Sequence, residues 1–171
     1  MAESKVEIIV DKKVVVITQL LVMMSLAALL PLFPLQQITG PLVNALLYIA
    51  VIMLGANNAL LICFLPSVTA FSAGLLPAVM LPLIPVIIIG NILLVLFFNY
   101  FKEKNFWLAV AVASFAKYIF IYSLASILVS QFVKNTSLAK LVSSMMSYQQ
   151  LLNALLGGII AWAFLKFIKR I

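Results

Sequence analysis

The chain has 171 residues, of which 66% are hydrophobic and 9% charged, and its mean hydropathy is +1.27. A soluble domain carries about 25% charged residues, so this composition leaves too little polar surface for a water-soluble body. We therefore interpret the net charge of +7 as a signal of membrane orientation and not of nucleic-acid binding. A helix needs about 20 apolar residues to cross a bilayer, which allows at most about six or seven crossings and no further soluble domain.

Groups that do chemistry are scarce in the apolar segments. The chain has no His, and its four acidic residues lie in terminal or loop contexts: Glu3, Glu7, Asp11 and Glu103. Carboxylate proton relays, His-based metal sites and intramembrane aspartyl proteolysis therefore lack their reagents. The single cysteine, Cys63, lies in an apolar run and is interpreted as a small buried hydrophobe. We expect no enzyme activity, no catalytic residue, no metal site and no cofactor.

Prolines, glycines and charges divide the chain into six predicted membrane helices. The first is expected to be retained, because its apolar stretch exceeds a typical signal sequence and prolines follow it in place of a cleavage site. Pro31 ends this helix, Pro41 opens the second, and Pro66 interrupts a short third. Clustered prolines predict that the fourth is kinked early or begins near Pro82. The predicted helices span residues 13–32, 41–55, 57–73, 77–101, 106–132 and 148–167.

Basic residues lie mostly on one side of these helices. With the N-terminus inside, eight fall on the cytoplasmic side: Lys5, Lys12, Lys13, Lys102, Lys104, Lys166, Lys169 and Arg170. Lys134 and Lys140 fall outside. Because basic residues accumulate in cytoplasmic loops, both termini are predicted to be cytoplasmic, with outward loops at 33–40, 73–76 and 133–146. The sequence thus predicts one all-α membrane domain that covers the whole chain.

Lys117 is the basic residue that topology leaves unexplained. It lies 12 residues after Asn105, about 18 Å along a helix, which is too deep for an interfacial position. A central lysine costs on the order of 2.5–3.5 kcal/mol, and no intramembrane carboxylate can neutralise it. Two interpretations stay open. Lys117 either snorkels or bonds helix carbonyls, or it lines a solvated cavity and meets the anionic or acceptor-rich part of a ligand.

Uncharged polar side chains are placed to converge on such a cavity. Gln149, Asn153 and Gly157 are spaced at i, i+4 and i+8 and form one stripe of the sixth helix. Asn44 and Asn91 lie in the second and fourth helices, and the outward loop before the second adds further polar residues. Amides also join helices, so each alone has a packing interpretation. The predicted substrate-binding residues are Lys117, Asn44, Asn91, Gln149, Asn153, Thr39 and Gln37.

The same segments resemble a known family. They are residues 38–45 (Ile-Thr-Gly-Pro-Leu-Val-Asn-Ala), Gly90-Asn91, Lys117, and residues 150–154 (Gln-Leu-Leu-Asn-Ala) followed by Gly157-Gly158. With six short hydrophobic helices, they resemble the substrate-binding S components of energy-coupling-factor (ECF) vitamin transporters. The resemblance implies a prokaryotic cell-membrane protein whose outer-half ligand pocket is capped by two loops, between helices one and two and between helices three and four. It also implies a transmembrane coupling subunit and two cytoplasmic ATPases as partners.

The first helix departs from the family pattern. Many S components present alanines at four-residue spacing there for docking to the coupling subunit. This sequence has Ser25, Ala27 and Ala28, which make a small patch without that repeat. Whether the coupling subunit docks on this helix is therefore open. The chain also lacks a nucleotide-binding glycine loop, in agreement with ATP hydrolysis on another chain.

These observations predict a membrane-embedded, high-affinity binding subunit for uptake of a small vitamin-like solute. An anionic group or neutral carbonyl acceptors on the solute would suit Lys117. One alternative is a structural or assembly membrane protein in which Lys117 bonds a neighbouring subunit. Another is a small channel or secondary carrier, although the lack of an intramembrane acid makes proton coupling hard to build.

Overall fold

The computed structural model describes residues 12–33, 35–76, 78–132 and 136–171, and within these ranges it contains helices and turns but no strand. The α-helices in these ranges are α1 (Lys12–Leu29), α2 (Gln36–Leu54), α3 (Ala56–Ile62), α4 (Leu65–Ser72), α5 (Ile84–Phe101), α6 (Phe106–Phe132), α7 (Thr136–Met145) and α8 (Tyr148–Phe167). Two 3₁₀ segments, Leu30–Leu32 and Ala78–Leu83, follow α1 and precede α5. The all-α prediction is confirmed.

Several of these helices are long and apolar enough to cross a membrane. In the described ranges there are five such segments: Lys13–Leu32, Gln37–Leu54, Met80–Phe101, Phe106–Gln131 and Val142–Phe167. A shorter apolar segment, Ala56–Ser72, lies between the second and third of them. The chain is therefore a helical membrane protein.

Prolines set where the central helices begin and break. Pro66 lies in the first turn of α4, and a turn at Cys63 and Phe64 separates α4 from α3. Pro82 lies in the 3₁₀ segment, and Pro85 in the first turn of α5. Proline lacks the amide donor that a helix interior needs, so each of these positions is the start of a helix or precedes it. The predicted interruption near Pro66 and the late start of the fourth helix are both confirmed.

Two predicted loops are wrong in part. Helix α2 begins at Gln36, so Thr39 and Gly40 are helical and Pro41 lies inside the helix. The first turn forms before the proline, because the amides of Ile38 and Thr39 donate to the Leu35 carbonyl at 2.9 and 3.1 Å. Pro41 then removes only one donor from a turn that already exists.

The predicted loop 133–146 contains helix α7, which its high serine content concealed. Val142 and Met146 are spaced at i and i+4 and are buried against α6 and the 3₁₀ segment before α5. An apolar stripe at helical spacing stabilises a helix even where the other face is polar. Pro34, Pro77 and residues 133–135, with Lys134, lie outside the described residues, as do 1–11 with Glu3, Lys5, Glu7 and Asp11.

Helices α2, α5, α6 and α8 form the centre of the bundle. Helices α2 and α8 run parallel and approach closely at Gly157, where an added Cβ would lie 2.7 Å from the Asn44 Cβ and 2.8 Å from the Pro41 carbonyl oxygen. The α2 span is 56% buried, whereas the α1 span is 17% buried. Helix α1 therefore packs at the periphery.

The alternation of the helices gives the bundle two unlike ends. The basic end contains Lys13, residues 102–105 and residues 166–171. The cavity end contains residues 30–36, the segment before α5, and α7. Of the described basic side chains outside the helix centres, only Lys140 lies at the cavity end.

Candidate functional site

Lys117 lies at the centre of a hydrogen-bond network that joins three helices. Its Nζ on α6 donates to Asn44 Oδ1 on α2 at 2.6 Å and to Asn91 Oδ1 on α5 at 2.8 Å. All three residues are buried, with exposed fractions of 3%, 2% and 2% in that order. The side chain therefore neither snorkels to an aqueous end nor bonds a helix carbonyl. It bonds two side-chain amides at mid-bundle.

Backbone carbonyls fix the orientation of both amides. Asn44 Nδ2 donates to the Gly40 carbonyl at 2.9 Å, and Asn91 Nδ2 donates to the Cys63 carbonyl at 3.0 Å. Cys63 lies in the turn between α3 and α4, where the helix is interrupted and its carbonyls need other donors. Because each amide uses its nitrogen on a carbonyl, each presents its oxygen to Lys117, which can only donate.

The positive charge of Lys117 has no carboxylate beside it in the part of the chain that the structure describes. The one acidic residue there, Glu103, lies at the basic end, 85% exposed and 3.8 Å from the Lys102 ammonium. An ammonium group has three N–H donors, and the two asparagines accept two of them. A charge and one N–H thus remain for another partner.

Lys117 lines a cavity that opens toward the cavity end. The cavity has a volume of about 120 Å³, which is below the roughly 300–1,000 Å³ of pockets for drug-sized ligands. It suits a small molecule or one end of a larger one. Its polar lining is Thr39, Asn44, Ser67, Asn91, Lys117, Gln150 and Asn153. The remaining lining is Pro31, Gly40, Val43, Pro66, Ala70, Leu76, Met80, Ile87 and Met146.

A wider groove of about 820 Å³ lies next to this cavity, between the start of α2, the end of α7 and the start of α8. Gln150 and Asn153 line both spaces. An added Cβ on Gly40 would collide with the amide of Asn153, so these two residues are in contact where the cavity and the groove meet. The glycine is what allows the Asn153 amide to lie there.

The structure divides the predicted site residues between these two spaces. Those that line the inner cavity are Lys117, Asn44, Asn91, Asn153 and Thr39. Gln37 and Gln149 line only the outer groove. The stripe of Gln149, Asn153 and Gly157 explains this division, because successive residues on it lie progressively deeper along α8. Gly157 contacts α2, Asn153 contacts Gly40, and Gln149 lies farther out.

Sequence reasoning missed two polar residues of the lining and one buried pair. Ser67 follows the α4 proline and is 5% exposed, and Gln150 donates to the Met145 carbonyl at 3.0 Å. Tyr48 Oη and Ser114 Oγ lie 3.1 Å apart and join α2 to α6. Helical spacing was the available signal for this pair. Tyr48 lies one turn after Asn44, and Ser114 one turn before Lys117.

Aromatic rings close the bundle on the other side of the Tyr48–Ser114 pair. The Tyr48 ring lies 4.7 Å from that of Phe98, and Phe98 lies 5.5 Å from Phe106. Phe106 in turn lies 5.5 Å from Trp107, and Trp107 5.6 Å from Trp162. The cavity therefore ends near Lys117, and packed rings extend from there to the basic end.

Comparison with protein-family models, with curated proteins and with solved structures finds no match for this chain. Within the described ranges, no group of three His, Cys, Asp or Glu side chains could hold a metal ion. What the geometry offers is recognition. A donor-rich cation lies at the base of a small cavity, and neutral hydrogen-bonding groups surround it.

Proposed function

We propose that this protein is the membrane-embedded binding subunit of an ECF-type uptake system. It captures a small vitamin-like solute at the cavity end, and an ATP-driven partner complex returns it to the inside. The observation that carries the proposal is Lys117, a buried lysine that lines a cavity with no acid in the described chain to neutralise it. A charged side chain at membrane depth is costly, so it is retained where a ligand or pathway uses it.

The chemistry of the cavity suggests how the solute is held. Asn44 and Asn91 aim the Lys117 ammonium, and its third N–H meets a carboxylate or carbonyl oxygen of the solute. Asn153 and Gln150, whose amides both donate and accept, bind neutral polar groups nearer the opening. Met80, Met146 and neighbouring aliphatic side chains contact the apolar part.

The proposal includes a membrane topology. Six spans, with α3 and α4 together as a short third, place both termini in the cytoplasm and the cavity end outward. Its support is the basic end, which carries Lys102, Lys104 and residues 166–170, against Lys140 at the cavity end. In a Cys63→Ala background, a membrane-impermeant maleimide should label Ser143→Cys on intact cells. It should label Lys104→Cys only after permeabilisation, and the reverse pattern would contradict this topology.

The proposal also assigns ATP hydrolysis to other chains, namely two ATPases that act through a transmembrane coupling subunit. Helix α1 offers the surface for that subunit, because it is the least buried span and exposes Leu21, Ser25 and Leu26. An assembly protein whose Lys117 bonds a neighbouring subunit is less well supported. Lys117 already bonds acceptors within its own chain.

Mass spectrometry of small molecules retained through purification in a mild detergent tests this function. We expect one enriched solute in the wild type and in the exposed-charge control Lys140→Met, and its loss from Lys117→Met. Added at 100 times its dissociation constant, the solute should stabilise the wild type by about 2.7 kcal/mol. Equal retention by folded Lys117→Met would remove the central claim.

A further inference from the structure

The basic end carries a cluster of cations that the proposed transport function does not use. Its side chains are Lys102, Lys104, Lys166, Lys169 and Arg170. Glu103 is the one described acid near them, and it pairs with Lys102. The cations of α8 and of the turn that follows it therefore have no acidic partner among the described residues.

The backbone holds the three cations of α8 on one short folded segment. Helix α8 ends at Phe167, and Lys169 adopts the left-handed conformation with φ of 55°. The amide of Arg170 then donates back to the Leu165 carbonyl at 2.8 Å. A left-handed residue with a bond to the last turn is a common helix termination. Lys166, Lys169 and Arg170 are thus exposed on an ordered turn.

Both tryptophans of the chain lie beside these cations. The rings of Trp107 on α6 and Trp162 on α8 are 5.6 Å apart, and the Lys166 ammonium lies 4.6 Å from the centre of the Trp162 ring. Trp107 is 45% exposed. Indoles favour the headgroup level of a bilayer, and a cation over an indole face keeps N–H donors free for a second partner.

Apolar surface continues from this cluster along the same two helices. Leu108 on α6 is 46% exposed, and Phe164 and Ile160 on α8 are 44% and 37% exposed. A ligand at the cations would therefore have hydrocarbon surface directly beneath it. A soluble phosphate would use only the cations, whereas a phospholipid would use the cations, the indoles and this surface.

We propose that the α6–α8 seam at the basic end is a binding site for an anionic glycerophospholipid. The headgroup phosphate contacts Lys166, Lys169 and Arg170. The glycerol region lies at the Trp107–Trp162 pair, and the acyl chains follow the exposed apolar residues of α6 and α8. Each basic residue near an anionic surface contributes roughly a fivefold preference for acidic lipid.

Quenching of tryptophan fluorescence by brominated lipid tests the site directly, because all tryptophan emission arises from it. The full chain is reconstituted into vesicles that contain either dibromo-phosphatidylglycerol or dibromo-phosphatidylcholine in an unlabelled background. We expect the phosphatidylglycerol preference of the wild type to exceed about fivefold. In Lys166→Gln/Lys169→Gln/Arg170→Gln it should fall to nearly one, since the three cations act together.

Two matched variants separate a defined site from general surface charge. Lys104→Gln removes a cation from the α5–α6 connection at the same end, and Lys140→Gln removes one at the other end. Both should keep the preference. A loss in Lys104→Gln equal to that in Lys166→Gln would overturn the proposal, since the attraction would then be diffuse.

A soluble-anion arm distinguishes lipid from free phosphate. Inorganic phosphate and glycerol 3-phosphate at millimolar concentration should leave the quenching by brominated phosphatidylglycerol unchanged. Competition by either compound would show that the cations take a soluble phosphate, and this would overturn the lipid assignment. Solute retention by the triple variant should stay at the wild-type level, because the two sites lie at opposite ends.

Discussion

The two halves of the bundle on either side of Lys117 are built differently by the same helices. Toward the basic end, Tyr48, Phe98 and Phe106 fill the space with stacked rings. Toward the cavity end, Asn44 and Asn91 occupy corresponding faces of α2 and α5, and a cavity opens beside them. One helical turn separates Asn44 from Tyr48, so a single turn separates polar recognition from dry packing.

This difference shows how a membrane bundle can keep a cavity at depth. Rings and close glycine contacts hold the helices in register on the packed side. The polar side then needs only enough hydrogen bonds to satisfy its own groups. No described buried side-chain nitrogen or oxygen lacks a partner. The packed half therefore supplies rigidity, and the Lys117 network specifies which polar groups face the cavity.

The largest expected effect comes from forcing α2 and α8 apart at Gly157. Gly157→Ala should lower the free energy of unfolding by about 3 kcal/mol, because its Cβ meets the α2 backbone at Pro41 and Ala45. The measurement is the folded fraction across a titration of SDS in mixed micelles. Gly158→Ala is the matched control and should cost about 1 kcal/mol, since its Cβ meets only the Val110 side chain. Equal costs would contradict the backbone contact.

Breaking the polar half from within should have an intermediate effect. Asn91→Leu should cost about 2 kcal/mol, because it removes an acceptor of Lys117 and the donor to the Cys63 carbonyl. Adding Lys117→Met removes the group left without that acceptor, so the double variant should cost less than the sum of the single variants. The same SDS titration measures all three. Additive costs would show that the two residues are not coupled.

The smallest expected effect lies at the boundary between the halves. Tyr48→Phe removes the hydrogen bond to Ser114 but keeps the ring contact with Phe98. We expect a loss of about 0.6 kcal/mol, the average for a hydrogen bond between membrane helices. Solute retention should be unchanged, because Tyr48 lies outside the cavity lining. Loss of retention in a fully folded variant would show that the two halves are not separable.

Helix ends were predictable where proline or charge acts locally. The bounds of α6 and α8 match the predicted 106–132 and 148–167, because charged or polar residues flank long apolar runs. The start of α2 and the existence of α7 were not predicted. In both, a helical turn forms from residues typical of loops, and its stability comes from buried neighbours such as Val142.

The site was predictable as a set of residue types but not as an arrangement. A lysine far from either predicted helix end stands out in any apolar run, and asparagines on other helices are obvious partners. Gln37 and Gln149 appeared equivalent to Asn153 in sequence, yet they line the outer groove. Their place depends on how α2 and α8 pack at Gly40 and Gly157, which no local pattern encodes.

By itself the sequence determined that this protein is helical, belongs in a membrane and carries one lysine that topology does not explain. These conclusions rest on hydropathy, on proline and on charge, which act within a few residues along the chain. Only the tertiary structure decided that two amide oxygens from different helices meet Lys117 and that a cavity lies beside them. The rotation and crossing of helices decide such meetings, because residues 73 and 26 positions away from Lys117 become its neighbours.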